Sequence, residues 1–304
     1  MKRAVITGAT GAIGTALIDE LIKQNIEVLV IARKDSKRLN VIPADNPLVS
    51  ILYGDLADYS EIENTTGKTW DVFYHLAWAG ASGAGRNDMY LQNSNVKYAL
   101  DAVGLAKRLG CKRFIGAGSQ AEYGLHNEKL RPDTDTRPYM GYGYAKFCAG
   151  QMTREYAHQS GMEHVWVRIL SVYGPNDGEN SMISRIIKDL KAGNTPKLTE
   201  GKQEWDYLYS RDAASALHLL GEKGIDGKTY VLGSGETKTI REYVEIIRDT
   251  VAPGMDIDFG AVPYGVNQVM HLCADVSELR NDTGWRPETS FEEGVVKVNK
   301  FFKG

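Results

Sequence analysis

RAVITGATGAIGTALIDELIK, residues 3–23, decides the fold. RAVIT (3–7) is a short β-rich run, residues 12–24 have the spacing of an amphipathic helix, and Gly8, Gly11 and Gly14 punctuate the turn between them. Each glycine answers a separate need. Gly8 permits a tight turn, Gly11 lets backbone approach a pyrophosphate, and Gly14 lets the helix pack hard on the strand. The helix start then offers free N–H groups and a positive dipole end to phosphates. The spacing is G-x-x-G-x-x-G rather than the G-x-G-x-x-G of many dinucleotide sites.

Outward from this unit the same alternation continues. EVLVIA (27–32), SILY (50–53), DVFYHLA (71–77), KRFIGAG (112–118) and HVWVRIL (164–170) read as strands, with helices over 87–109 and 141–160. Several strands are continuous apolar runs, as expected when helices cover both faces of a sheet. Strand–helix alternation with right-handed crossovers predicts an α/β, Rossmann-type, doubly wound parallel sheet. After about residue 174 the pattern loosens into helices at 180–193, 211–223, 239–251 and 290–302 with short strands between. Residues 1–173 are therefore expected to form the dinucleotide-binding domain, with 211–233 returning to it. Residues 174–304 mainly form a smaller substrate domain over the carboxyl edge of the sheet, where such folds bind ligands.

The bulk chemistry is that of a cytoplasmic protein. Net charge is -3 and no Lys/Arg run is long enough for a nucleic-acid footprint. The start, MKRAVITGAT, has too short an apolar stretch for a signal peptide, and no run approaches a membrane span. Cys111, Cys148 and Cys273 are scattered and odd in number, which suits buried thiols rather than a disulfide framework or zinc site. No histidine has a metal-ligand spacing, so no metal is expected.

An NAD site usually carries Asp or Glu at the end of the second strand, accepting from ribose hydroxyls. Here that strand ends in Ile31, Ala32, Arg33 and Lys34. A carboxylate would repel a 2′-phosphate, whereas Arg33 can grip it with two donors. NADP(H) is the expected cofactor, with NAD the alternative. Farther on, YGYAK (142–146) places Tyr142 and Lys146 on one helical face, and Tyr142 alone of sixteen tyrosines has lysine four positions on. Ser119 stands at the end of the preceding strand. A serine, a tyrosine and a lysine thus converge on the edge that the glycine loop faces. A free tyrosine is too weak a base at neutral pH, and a neighbouring ammonium lowers its pKa.

These stretches resemble the extended short-chain dehydrogenase/reductase superfamily, in its branch of nucleotide-sugar epimerases, dehydratases and reductases. The likeness runs through HLA (75–77), Asn95, Arg168 with SVYGP (171–175), DYLY (206–209) with Asp212, and GWRP (284–287). It implies Ser119, Tyr142 and Lys146 as catalytic residues. It implies cofactor contacts from Gly8, Thr10, Gly11, Ala12, Ile13, Gly14, Arg33, Lys34, Asp55, Leu56, Leu76, Ala77, Leu170 and Val172, besides Tyr142 and Lys146. Substrate contacts are expected from Trp78, Arg86, Ser119, Gln120, Tyr173, Trp205 and Arg280. Asp55 has a second reading, as a backbone cap near a helix start, and Asp212 is read as the N-cap of 211–223.

Two departures from the family pattern stand out. Relatives that bind nucleoside diphosphates often carry arginine just before the Asp-Tyr pair, where this chain has Trp205. Another cation (Arg168, Arg185, Arg211 or Arg280) must then take the phosphate, or the substrate is not a conventional nucleotide sugar. The second is the loop WAGASGAGR (78–86), a candidate lid with Arg86 reaching inward. The expected activity is NADP(H)-dependent reduction of a 4-keto group on a nucleotide sugar. A 4-epimerase is the close alternative, and a non-catalytic dinucleotide sensor the distant one. A dehydratase is disfavoured because the segment after Ser119 offers only Glu122 as an extra acid. The resemblance also implies a homodimer paired through 87–109 and 141–160.

Overall fold

The computed structural model describes residues 1–178 and 181–302. In chain order the elements are β1 (Arg3–Thr7), α1 (Ala12–Lys23), β2 (Glu27–Ala32), β3 (Val49–Tyr53), β4 (Val72–His75), α2 (Met89–Arg108), β5 (Arg113–Ser119), α3 (Gly141–Gln159), β6 (Glu163–Ile169) and β7 (Ser171–Tyr173). There follow α4 (Met182–Lys191), β8 (Lys197–Leu198), β9 (Glu204–Trp205), β10 (Tyr207–Tyr209), α5 (Ser210–Lys223), β11 (Thr229–Leu232), β12 (Lys238–Thr239), α6 (Ile240–Val251), β13 (Asp258–Phe259), β14 (His271–Leu272), α7 (Ser277–Thr283) and α8 (Phe291–Phe301). Position 180, in the helix expected over 180–193, lies outside the described residues.

Seven strands form one parallel sheet in the order β11-β6-β5-β4-β1-β2-β3. The chain runs outward from β1 through β2 to β3, then crosses back to β4 on the other side of β1. That reversal opens a crevice above the ends of β1 and β4, where Thr7 pairs with His75. Both faces are covered, which explains the unbroken apolar strands. On one face Leu17, Ile18 and Leu21 of α1 pack with Leu217 and Leu220 of α5, all fully or almost fully buried. On the other, Val103, Leu105 and Ala106 of α2 close over Phe73 and Phe114, with Ala157 of α3 beside them. The return of α5 and β11 adds a seventh strand beside β6. A separate core joins α4, α6 and α8 through residues such as Ile186, Ile247 and Val295.

Helix starts in the later half are written locally. Ser181, Thr239 and Ser290 cap α4, α6 and α8, the last two through reciprocal capping boxes with Glu242 and Glu293. α7 has only seven residues, too few for a clear helical period, and stops at Gly284 in the left-handed region (φ 81°). Asp212 departs from expectation. α5 begins at Ser210, and the Asp212 carboxylate instead accepts from Glu288 N (3.1 Å) and Thr289 N (3.2 Å), tying the C-terminal segment to α5. Among the described residues no helix is long and apolar enough to cross a membrane.

Trp166 on β6 occupies space that three glycines leave open. A Cβ on Gly116, Gly118 or Gly150 would collide with its indole. Gly116→Ala should therefore destabilise the fold by ~1–3 kcal/mol through overpacking, read as a lower denaturant midpoint with an unchanged m-value.

Candidate active site

The glycine turn is as tight as its sequence suggests. Gly8 sits at φ 71°, and a Cβ there would stand 2.7 Å from Leu76 C and Ala77 N, so the ends of β1 and β4 nearly touch. Ala77 N donates to Thr7 Oγ1 (3.3 Å), which also shares a hydrogen bond with His75 Nδ1 (3.0 Å). Burial pulls the His75 imidazole down to about 3, so it is neutral. A Cβ on Gly14 would overlap Gly8 O, whereas one on Gly11 would have 3.6 Å to its nearest neighbour, leaving a cradle on the crevice side. α1 starts at Ala12 behind Gly11, with no side-chain cap and no acid in its first turn, where Ala12 and Ile13 sit half-buried. Its dipole end is left for an anion.

In front of this turn lies a cavity of about 470 Å³ whose lining includes Thr10, Arg33, Ser36, Asp55, Leu56 and Trp78. Glycine cradle, uncapped helix start and flanking polar groups suit a dinucleotide. Arg33 is exposed at the rim, where its guanidinium can meet a phosphate. Arg38 is already engaged, donating to Asn176 O (2.5 Å). Lys34 is exposed beside Arg33 and not part of the lining. Asp55 lines the cavity, and its carboxylate accepts from Leu56 N (2.6 Å) in a capping box with Asp58, as its second reading expects.

At the carboxyl ends of β5 and β6 the second group assembles. Tyr142 lies in the first turn of α3 and Lys146 one turn on. Ser119 ends β5, and its Oγ accepts from Ala121 N (3.2 Å). Burial raises the Tyr142 pKa, against the pull of the Ser119 hydroxyl and the Arg86 guanidinium, while Glu122 adds to the rise. The same burial brings Lys146 down to about 7, with Glu122 opposing. Its ammonium donates to Ala117 O (2.6 Å) and lies over the Trp78 ring, 3.7 Å from the centroid. It is 5.8 Å from the Tyr142 ring centre.

The loop before α2 covers this group. Trp78 meets the Tyr142 ring edge-on (6.1 Å between centroids), and the Arg86 guanidinium lies 4.6 Å from the same ring. Two polar residues on α2 hold the loop. Gln92 Nε2 donates to Gly80 O (3.1 Å) and Gly85 O (2.8 Å) while its Oε1 accepts from Trp78 Nε1 (2.9 Å). Asn95 brackets Ala79, accepting from its N (3.0 Å) and donating to its O (2.9 Å). Asn95 belongs to the family likeness in the sequence and Gln92 does not. Their spacing, three apart on one face, is the signal that was available.

Glu122 turns inward. Its buried carboxylate accepts from Ser119 N (2.8 Å), Trp166 Nε1 (3.1 Å) and Arg168 Nε (2.8 Å). Arg168 is 4% exposed and stacks on Tyr123 (4.5 Å), so it cannot serve as a free phosphate clamp. Two further expected substrate contacts, Tyr173 and Arg280, are not among the lining of the glycine-turn cavity. Tyr173 is buried in an aromatic cluster with Tyr209 and Phe291, and its hydroxyl donates to Phe291 O (3.2 Å). Arg280 is exposed on α7, a helix packed against α5 and β11. Asp206 is also structural: its buried carboxylate accepts from Ser234 N, Gly235 N and Ala274 N. Gln120 is half-buried just beyond Ser119, Leu170 is buried after β6, and Val172 packs on the main core from β7.

A second cavity, about 390 Å³, opens in the later half between α4, β8 and β9. Arg185, Lys197, Gln203, Trp205, Tyr207 and Gln268 are among its lining. Trp205 Nε1 donates to Ser171 Oγ (2.7 Å), which orients the indole at the wall. Arg185 thus brings a cation to the cavity that Trp205 lines.

Known proteins resemble this chain over nearly its whole length. The family model described as NAD dependent epimerase/dehydratase family matches residues 4–233. CDP-abequose synthase of Salmonella typhimurium is 25% identical, with 97% of each chain covered. UDP-glucuronic acid decarboxylase 1 of Arabidopsis thaliana is 25% identical over 99% of this chain and 70% of its own. Among solved structures, the UDP-N-acetylglucosamine 4-epimerase of Methanobrevibacter ruminantium, in complex with UDP-N-acetylmuramic acid, superposes with a TM-score of 0.88 at 26% identity, covering 99% of this chain and 98% of the other.

Removing the Glu122 carboxylate leaves Arg168 charged and buried without its partner. Glu122→Ala should lose ~3–5 kcal/mol of stability, measured by denaturant unfolding. The double change Glu122→Gln with Arg168→Met should lose clearly less than Glu122→Ala.

Proposed function

This chain belongs to the NAD dependent epimerase/dehydratase family, and on that premise we propose that it moves a hydride at a ring carbon of a nucleotide-activated sugar, reducing a 4-keto group with NADPH. The observation that carries the reading is the meeting of Ser119, Tyr142 and Lys146 at the carboxyl edge of the sheet, beside the glycine-turn crevice. A nicotinamide dinucleotide, when bound, supplies the hydride. Tyr142 gives its phenolic proton to the oxygen of the reacting carbon. Ser119 donates a hydrogen bond to that oxygen and steadies its developing charge. Lys146, held on the same helical face, stabilises the phenolate left behind. Gly11, the start of α1 and Thr10 would receive the cofactor's phosphates, and the cavity with Arg185 and Trp205 the nucleotide end of the substrate.

The preference for NADPH rests on Arg33 standing where NAD sites usually place a carboxylate. A second reading, a 4-epimerase, draws on the likeness to the M. ruminantium enzyme. Dinucleotide that stays bound through purification and is regenerated in each cycle favours epimerisation. Stoichiometric loss of added NADPH absorbance with a UDP-4-keto sugar favours reduction. We further propose a homodimer through α2 and α3, whose outer faces expose Met89, Tyr90, Tyr144 and Met152. A monomeric mass by light scattering would refute it.

Tyr142→Phe should lower turnover by ~100-fold or more while leaving dinucleotide binding intact; undiminished turnover would refute the mechanism. Arg33→Asp should weaken NADPH binding by roughly tenfold or more and spare NADH, as read by fluorescence titration of each.

A further inference from the structure

Arg86 is expected from sequence as a substrate contact, but its surroundings suggest a different task. Its guanidinium lies 4.6 Å from the Tyr142 ring centre, nearer than the Lys146 ammonium at 5.8 Å. Lys146 is already committed, donating to Ala117 O and capped by Trp78. The Arg86 Nε is buried and has no hydrogen-bond partner. Among the described residues no carboxylate forms an ion pair with Arg86. A cation in that setting is attracted by the ring face beneath it, and more strongly by any negative charge the ring develops.

The placement is built by the loop and by α3. Gly80 and Gly83 adopt φ of 64° and 59°, conformations that glycine takes without strain. A Cβ on Gly85 would stand 2.8 Å from Gly80 Cα, so the loop folds tightly on itself. Gln92 grips the carbonyls of both Gly80 and Gly85. Asn87, the residue after Arg86, accepts from Gly141 N (3.0 Å), the residue before Tyr142. One hydrogen bond thus joins the two segments immediately beside the cation and the phenol.

We infer that Arg86 is a positioning residue for Tyr142: the glycine loop seats a permanent cation against the phenol ring and so favours the phenolate. The inference rests on the proposed role of Tyr142. The charged groups facing the phenol are Arg86 from the loop, Lys146 from α3 and Glu122 from the turn after β5, with the neutral Ser119 hydroxyl beside them. Glu122 opposes ionisation. Lys146 is desolvated and already engaged by Ala117 O and the Trp78 face, whereas the buried Arg86 Nε has no partner. Arg86 therefore adds its charge to that of Lys146 at the phenol.

The test follows the phenolate ultraviolet signal of the purified full chain as pH is raised, taking the part absent from Tyr142→Phe as that of Tyr142. In Arg86→Gln the midpoint should rise by roughly one pH unit or more, and Arg86→Lys should recover most of the difference. Circular dichroism over the same range reports whether each variant keeps its fold. An Arg86→Gln midpoint equal to that of the unaltered protein, with the fold intact, would overturn the inference. So would a shift that Arg86→Lys fails to reduce, because that points to loop packing rather than charge. The titration needs no substrate, so its failure is separate from that of the functional reading, which is judged by turnover in Tyr142→Phe.

Discussion

The carboxylate of Glu122, wholly buried behind the end of β5, is the interaction on which the mouth of the sheet depends. It takes hydrogen bonds from Ser119 N, the Trp166 indole and the Arg168 guanidinium, joining β5 to β6 where the sheet meets its ligands. Ser119 is thereby held by its own backbone, and the turn that follows is closed by a reciprocal cap. A charge pair this deep is costly to desolvate, and its return comes as fixed geometry rather than as net stability. The position of Ser119 opposite Tyr142 is a consequence of that pair.

A second constraint acts from the other side. The loop of residues 78–88 carries Trp78 and Arg86 over Lys146 and Tyr142, and five hydrogen bonds with Gln92 and Asn95 lash its backbone and indole to α2. The two cations near the phenol are handled differently. Lys146 is covered by an aromatic face and bound to a strand carbonyl, while Arg86 is left with a buried donor to spare. Burial raises the phenol's pKa in this arrangement, so the desolvation of the site outweighs the nearby positive charge. Charge brought close to the phenol offsets part of that burden.

Much of this was legible early. The glycine spacing, the strand runs and the Tyr142–Lys146 pair are local features, and parallel strands covered on both faces reveal themselves as apolar runs. Misreadings arose where a residue's partner lies far along the chain. Asp212 looks like a cap, but its carboxylate binds backbone N–H groups of Glu288 and Thr289, seventy-six and seventy-seven positions on. Arg168 looks like a spare cation until Glu122 is found beside it. Tyr173, in a stretch matching a ligand-facing motif, goes instead into the core with Phe291.

The amino-acid sequence by itself determined the turn at Gly8 and the order of strands and helices around it, because these follow from backbone freedom and hydrophobic period over a few residues. Only the tertiary structure decided which charges are spent on one another and which remain for a ligand. Glu122 neutralises Arg168, Asp206 is consumed by backbone N–H groups, and Arg185 and Arg86 are brought to cavity and phenol. Pairing of this kind depends on distance in space and on loss of water, and neither is encoded in the spacing of residues along the chain.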